Sequence, residues 1–302
     1  MSKLNLRAQL TEQINNKMTL TAKNPADLVG QGTSIIRLKV ADVVAYEGNP
    51  RNEENPQFNE IKESIRERGL DAILTVLKRP GSDTYILAKG GKTRLKALQE
   101  LALEEPKKFE EQDFKITRYV SEADLLASHL VENLQRSDMT FWDTARGIVK
   151  MRETIIQEQG KPVSKPEFQS ELKKMGIVVD VSLPNECTFA CEYLSGLGVY
   201  AQGITRNDVR KTLRPQYTKL SELWARHPGH TVEVFDVHYK DWTSMYEAQF
   251  DAYDVTQLEE FLVSECANAL SYELIQLQNL LSVANKTEHK NKSIEQLLAL
   301  IQ

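Results

Sequence analysis

The stretch that most constrains the fold is residues 85–97, where a short apolar strand runs through paired glycines directly into a basic helix. Gly90 and Gly91 carry no side chain, so the backbone there can turn sharply and come close to a ligand. Lys92, Arg94 and Lys96 add positive charge at the helix start, where exposed N–H groups already attract anions. The pattern predicts a phosphate-binding corner at residues 88–97, which follow the strand and include the start of the helix.

The charge of the chain is unevenly distributed. Its formal net charge is −5, yet residues 78–96 hold six Lys or Arg and one acid. Residues 221–302 carry 13 acids against five Lys or Arg, which leaves the first 220 residues with a net charge of about +3. This asymmetry indicates that a polyanion binds the front of the chain. A solvated acidic surface explains the tail equally well.

The composition is that of a globular protein long enough, at 302 residues, for two or three domains. No apolar run reaches the roughly 20 residues of a membrane helix, and the N-terminus has no secretory signal pattern. Three cysteines are too few for a disulfide scaffold. We therefore expect a cytoplasmic protein without a membrane partner.

The first part of the chain predicts a flexible leader at residues 1–33 and an α+β domain at residues 34–136. Strand patterns occupy residues 35–40, 73–77, 85–88 and 114–120. A helix over residues 58–68 ends at Gly69, and another runs from the phosphate-binding corner to about residue 103.

Residues 137–215 predict a helical DNA-binding domain. Thr140 marks the start of one helix, and residues 164–196 have the pattern of a helix-turn-helix, with Ser164 as a cap and Pro166 in the first turn. The turn is longer than the usual three or four residues, so a plain helical hairpin stays open. The candidate DNA-binding residues are the basic ones: Lys165, Lys173, Lys174, Arg206, Arg210 and Lys211.

Residues 216–302 predict an acidic, mostly helical region whose apolar stripe is wide enough for a dimer face. Within it, Val232, Val234, Phe235 and Val237 predict a short strand.

Several catalytic and metal motifs are excluded or weak. Cys187 and Cys191 lie four residues apart, which is not zinc-finger spacing, and Ile86 stands where a GxxxxGK[ST] loop needs its first glycine. A triphosphate would need Mg²⁺ with oxygen ligands, which Glu132 and Asn133 offer, while Arg94 and Arg136 suit phosphates. Taken alone, residues 132–136 also fit a polar helix end.

The order of the motifs resembles the ParB family of partition proteins. The segments are Asn49-Pro-Arg51, residues 61–70, Gly91-Lys-Thr-Arg-Leu-Lys-Ala97, Glu132-Asn-Leu-Gln-Arg136 and the helix-turn-helix. The third resembles the family's GERRxRA box and the fourth its ENLQR box. The resemblance covers residues 35–200 and is closer to ParB-like proteins of integrating conjugative elements and plasmids.

This resemblance implies a ParB/sulfiredoxin-like N-terminal domain, a central DNA-binding domain and a C-terminal dimerisation region. It also implies CTP and Mg²⁺ as cofactors, double-stranded DNA and a ParA-type ATPase as partners, a homodimer, and a nucleoid-associated location. The nucleotide-binding residues it implies are Gly90, Gly91, Lys92, Thr93, Arg94, Lys96 and Arg136. Glu132 and Asn133 would hold the metal.

The sequence departs from the ParB pattern at the nucleotide. Lys92 and Thr93 replace the Glu and first Arg of the box, and Lys96 replaces its last Arg, which loses the bidentate fork of a guanidinium. Ala72 and Ile73 replace a Gln-Pro pair. The corner also resembles the sulfiredoxin Gly-Gly-Cys-His-Arg motif, but Lys92 stands in place of the reactive cysteine, so thiolate chemistry is not expected.

The leading hypothesis is a DNA-binding partition protein that uses CTP as a clamp switch, with slow or absent CTP cleavage. One alternative is a transcriptional regulator of the same fold without nucleotide turnover. Another is a nuclease or phosphotransferase, in which Glu132 would serve catalysis.

Overall fold

The computed structural model describes residues 34–49, 55–134 and 139–301, which divide into two compact units. The first unit takes its described residues from Met1–Ala45 and Pro56–Tyr119, and the second from Tyr46–Asn55 and Val120–Gln302. The predicted leader lies outside the described residues. The domain boundaries at residues 136 and 215 stay predictions.

The first unit is a five-stranded mixed sheet with helices, which confirms the predicted α+β class. Its strands are β1 (Ser34–Lys39), β2 (Val43–Val44), β3 (Thr75–Lys78), β4 (Tyr85–Leu87) and β5 (Glu111–Ile116), and its helices are α1 (Phe58–Arg68), α2 (Lys92–Glu104) and α3 (Pro106–Phe109). The spatial order is β1-β5-β3-β4-β2. The β1/β5 and β3/β4 pairs are antiparallel, whereas β3/β5 and β2/β4 are parallel.

The core of the first unit fixes where α2 begins. All three residues of β4 are buried, and the inner face of α2 buries Leu95, Leu98 and Leu101 almost completely. Burying one such side chain stabilises the fold by roughly 1.5–3 kcal/mol. Because strand and helix are both anchored in this way, the residues between them form a tightly held turn.

The regular secondary structure described in the second unit is helical, as the sequence predicted for most of this region. Its helices are α4 (Glu122–Leu134), α5 (Phe141–Gln159), α6 (Lys165–Lys174), α7 (Leu183–Tyr193), α8 (Arg206–Asp208), α9 (Arg214–Trp224), α10 (Val232–Gln249), α11 (Val255–Ala269), α12 (Leu274–Ala284) and α13 (Ile294–Leu298). A 3₁₀ segment, Ser195–Gly203, follows α7, and a π turn, Val209–Leu213, joins α8 to α9. Within the described ranges, no helix has both the length and the hydrophobicity to cross a membrane.

The strand predicted at Val232–Val237 is wrong, because these residues begin helix α10. The Thr231 hydroxyl accepts a hydrogen bond from the Val234 N–H at 3.4 Å and so caps the helix. The buried residues of α10 follow helical spacing, and three valines instead lie on its solvent side. The valines suggested a strand, whereas the cap and the aromatic spacing carried the correct signal. The buried residues are Phe235, Tyr239, Trp242, Thr243 and Tyr246.

The predicted helix starts in the second unit are confirmed. Thr140 caps α5 by accepting a hydrogen bond from the Asp143 N–H. Ser164 and Glu167 form a reciprocal capping box at the start of α6. Because caps depend on neighbouring residues alone, the sequence was sufficient to locate these starts.

Candidate functional site

The phosphate-binding corner is a tight turn between β4 and α2. Gly90 and Gly91 both have positive φ, at 35° and 79°, and Gly91 lies at the N-cap of α2. Gly91 has no side chain with which to cap the first turn of α2. Backbone N–H groups at a helix start lack partners inside the helix, so this turn offers donors to an anion.

The predicted side chains of the corner differ in their surroundings. Lys92 is exposed, whereas Thr93 and Arg94 are half-buried. The Lys96 ammonium lies 4.8 Å from the centre of the Phe58 ring on α1, which is cation–π distance. The structure therefore brings Gly90, Gly91, Thr93 and Arg94 together at the turn, and it places Lys96 against α1.

Replacing Gly91 with alanine is expected to destabilise the corner by about 2 kcal/mol, because the residue needs a positive φ and its new Cβ would lie 2.6 Å from Leu74 Cδ2. Gly81→Ala is the matched control. It has nearly the same φ, at +75°, but among the described residues no atom lies within 4 Å of the added Cβ. Amide hydrogen exchange of β4 and α2 measures the difference, and equal protection in both variants would contradict the steric argument.

The predicted metal ligands lie in the second unit, on the last turn of α4. Glu132 is half-buried, and Asn133 is 7% exposed. The Asn133 Nδ2 donates a hydrogen bond to Asn49 Oδ1 at 2.9 Å. Arg136 lies outside the described residues.

The donor chemistry of Glu132 and Asn133 fits Mg²⁺. This ion takes oxygen ligands, and it is commonly held by one or two carboxylates together with substrate phosphates. Within the described part of the chain, no group of three or more His, Cys, Asp or Glu residues could hold a metal by itself. The pair therefore suits a cation that arrives with a phosphate ligand better than a protein-only metal site.

The predicted helix-turn-helix residues form two helices with a long turn, α6 and α7, separated by residues 175–182. Lys165, Lys173 and Lys174 are exposed on α6, although Lys174 also pairs with Glu171 at 2.8 Å. Arg210 and Lys211 are exposed in the π turn.

Arg206, which was predicted to bind DNA, forms ion pairs within the protein. Its Nε lies 2.5 Å from an oxygen of Glu186, and its Nη2 lies 2.7 Å from an oxygen of Asp180. Burial alone would lower the pKa of Arg206, but the hydrogen bonds to the two carboxylates outweigh burial and raise it. Hydrogen bonds from Ser182 and Arg206 lower the pKa of Asp180 to about 2. This guanidinium therefore joins α7 to α8, and its DNA-binding role stays a prediction.

A recess of about 370 Å³ lies between α5, α6 and α7. Its lining is largely apolar, with two cations and several amide or hydroxyl groups but no carboxylate: Arg152, Lys165, Pro166, Phe168, Gln169, Val181, Pro184, Asn185 and Thr188. Sequence reasoning overlooked Arg152, Asn185 and Thr188. The available signal was the polar i, i+3 pair Asn185 and Thr188 on the otherwise mostly apolar helix α7, which carries no Lys or Arg.

These features define a class of protein: an α+β unit with a glycine corner suited to an anion, followed by a helical unit with a largely apolar recess that carries two cations. No family model matches the chain. A stretch of 129 residues is 30% identical to the chromosome-partitioning protein Spo0J of Thermus thermophilus and covers 42% of this chain. The chain spans 44% of the length of that relative.

Two solved structures are also similar. A pNOB8-like ParB N-domain aligns over 90% of this chain and 96% of its own, with a TM-score of 0.45 and 12% identity. ParB from Caulobacter crescentus, complexed with CTP-gamma-S, aligns over 59% of this chain and 93% of its own, with a TM-score of 0.29 and 15% identity. Scores and identities this low do not establish a common arrangement.

The 129-residue similarity to Spo0J, a chromosome-partitioning protein, supports the resemblance to the ParB family that the order of the motifs indicated.

Proposed function

We propose that this chain is a DNA-binding partition protein of ParB type that maintains a plasmid, an integrative element or a chromosome, with CTP and Mg²⁺ acting as a clamp switch. The observation that carries the proposal is the match to Spo0J, which is a chromosome-partitioning protein. The glycine N-cap of α2 and the recess between α5, α6 and α7 support it, because they offer sites to phosphate and to DNA.

In this proposal the phosphate-binding corner holds the triphosphate of CTP. The backbone at Gly90 and Gly91, with Lys92, Thr93, Arg94 and Lys96, provides the phosphate donors, and Arg136 completes them. Glu132 and Asn133 hold the Mg²⁺, which neutralises the phosphate charge when bound. Lys92, Thr93, Ala72 and Ile73 depart from the family pattern, so we expect CTP cleavage to be slow or absent.

Calorimetry with CTP and Mg²⁺ tests the nucleotide part of the proposal. Arg94→Ala should weaken CTP binding by about ten- to a hundredfold, because a hydrogen bond to a charged group contributes about 1.5–3 kcal/mol. Lys107→Ala, which removes an exposed cation on α3, is the matched control and should leave the affinity unchanged. No heat from the wild-type protein, or equal affinities for both variants, would contradict a CTP site at this corner.

The remaining parts of the proposal concern partners. Double-stranded DNA would bind the recess and the basic residues of α6 and the π turn, and residues 216–302 would form a homodimer contact. A ParA-type ATPase would move the DNA, and the complex would be associated with the nucleoid in the cytoplasm.

A transcriptional regulator without nucleotide turnover is the second candidate function. The replacements at Lys92 and Thr93 favour it, because they change the box that the family uses at the nucleotide. The same calorimetry separates the two candidates: salt-dependent DNA binding without any CTP heat would favour the regulator.

A further inference from the structure

A short turn at residues 46–49 folds back on helix α4 within the second unit. The Asn49 N–H donates to the Tyr46 carbonyl oxygen at 3.3 Å, which closes the turn. The Tyr46 ring stacks on His129, with ring centres 4.9 Å apart and planes 22° from parallel. Gly48 permits this shape, because a Cβ there would lie 2.6 Å from the Tyr46 ring. The turn is therefore seated on α4 by its tyrosine.

The same turn reaches α4 a second time, at Asn133. His129 and Asn133 are four residues apart and so lie on one face of the helix. Asn49 Oδ1 accepts the hydrogen bond from Asn133 Nδ2 at 2.9 Å. Among the described residues, no donor bonds to Asn133 Oδ1. The hydrogen bond thus uses the nitrogen end of this amide and leaves its oxygen end as an acceptor.

We infer that Asn49 is a positioning residue that holds the Asn133 amide with its carbonyl oxygen directed to the cation. The inference rests on the proposed role of Glu132 and Asn133 in holding Mg²⁺. An amide nitrogen is a donor and cannot ligate a cation, so rotation of this side chain by half a turn would abolish the ligand. Groups that orient metal ligands in this way commonly contribute ten- to a hundredfold to metal affinity.

The test measures Mn²⁺ binding in the presence of CTP by electron paramagnetic resonance, with the full-length protein. Asn49→Ala should weaken Mn²⁺ binding by about tenfold or more, since the amide can then rotate. Asn49→Asp should restore it, because an ionised carboxylate can only accept and therefore must face the Asn133 nitrogen. CTP binding without metal, measured in EDTA, should be equal in all three proteins. A turn that had merely unfolded would lower both affinities.

A second measurement reports the hydrogen bond without any ligand. Hydrogen exchange of the Asn133 side-chain amide, assigned with Asn133→Asp, should be slow in the wild type and in Asn49→Asp but fast in Asn49→Ala. Equal Mn²⁺ affinity in wild type and Asn49→Ala, with CTP bound, would overturn the role of Asn49 alone. Absence of Mn²⁺ binding from the wild type, despite a slowly exchanging amide, would overturn the metal site and the inference with it.

Discussion

Replacing Glu186 with alanine should lower the free energy of unfolding of the helical unit by about 3 kcal/mol. The Glu186 side chain is 2% exposed, and its oxygens lie 2.5 Å from Arg206 Nε and 3.9 Å from Arg210 Nε. Removing one partner of a buried ion pair leaves the other uncompensated, which typically costs about 3–5 kcal/mol. We expect a cost at the lower end of this range, because the Arg206 side chain is 34% exposed and keeps Asp180 as a partner.

The control for this prediction lies on the same helix. Glu192 is 47% exposed and lies 3.6 Å from Lys240, so Glu192→Ala should cost less than about 1 kcal/mol. Urea unfolding followed by tryptophan fluorescence measures both variants, since Trp142, Trp224 and Trp242 all belong to the second unit. Equal midpoints for the two variants would show that the Glu186–Arg206 pair does not hold α7 to α8.

The sequence was sufficient where structure depends on neighbouring residues. The corner was predictable because Gly90 and Gly91 sit between an apolar run and a helical pattern. The start of α6 was predictable because Ser164 and Pro166 suit a first turn, and the structure shows the cap. The prediction for α10 was wrong because its first residues are rich in valine, which favours strands. The Thr231 cap and the packing of the buried aromatic residues outweigh this preference.

The sequence was insufficient where residues meet over long separations. Asn49 and Asn133 are 84 positions apart, and Arg206 reaches Glu186 across a 3₁₀ segment. Nothing in the local pattern distinguishes Arg206, which is used inside the fold, from the exposed Arg210. Charge predicts where anions are attracted, but only packing decides which cations remain available to them.

The second large effect is expected at Asn185. Asn185→Ala should weaken binding to a selected duplex by about ten- to a hundredfold while leaving binding to random DNA unchanged. Helix α7 carries no Lys or Arg, so its half-buried polar residues Asn185 and Thr188 can contribute base contacts but little phosphate attraction. An asparagine that pairs with the edge of adenine contributes about 1–3 kcal/mol of discrimination. The duplex is obtained by selection from random sequences, and affinities are measured at several salt concentrations.

Lys165→Ala should behave differently, because Lys165 is an exposed cation in the same recess. Loss of one phosphate contact should weaken binding to both DNAs and reduce the slope of log affinity against log salt by about one. Lys219→Ala removes an exposed cation on α9 outside the recess. It is the control and should change neither quantity.

If Asn185→Ala instead weakened binding to both DNAs equally, α7 would position the DNA and would not read its sequence. If neither Asn185→Ala nor Lys165→Ala had an effect, the DNA would have to bind elsewhere, with the exposed Arg210 and Lys211 as the next candidates.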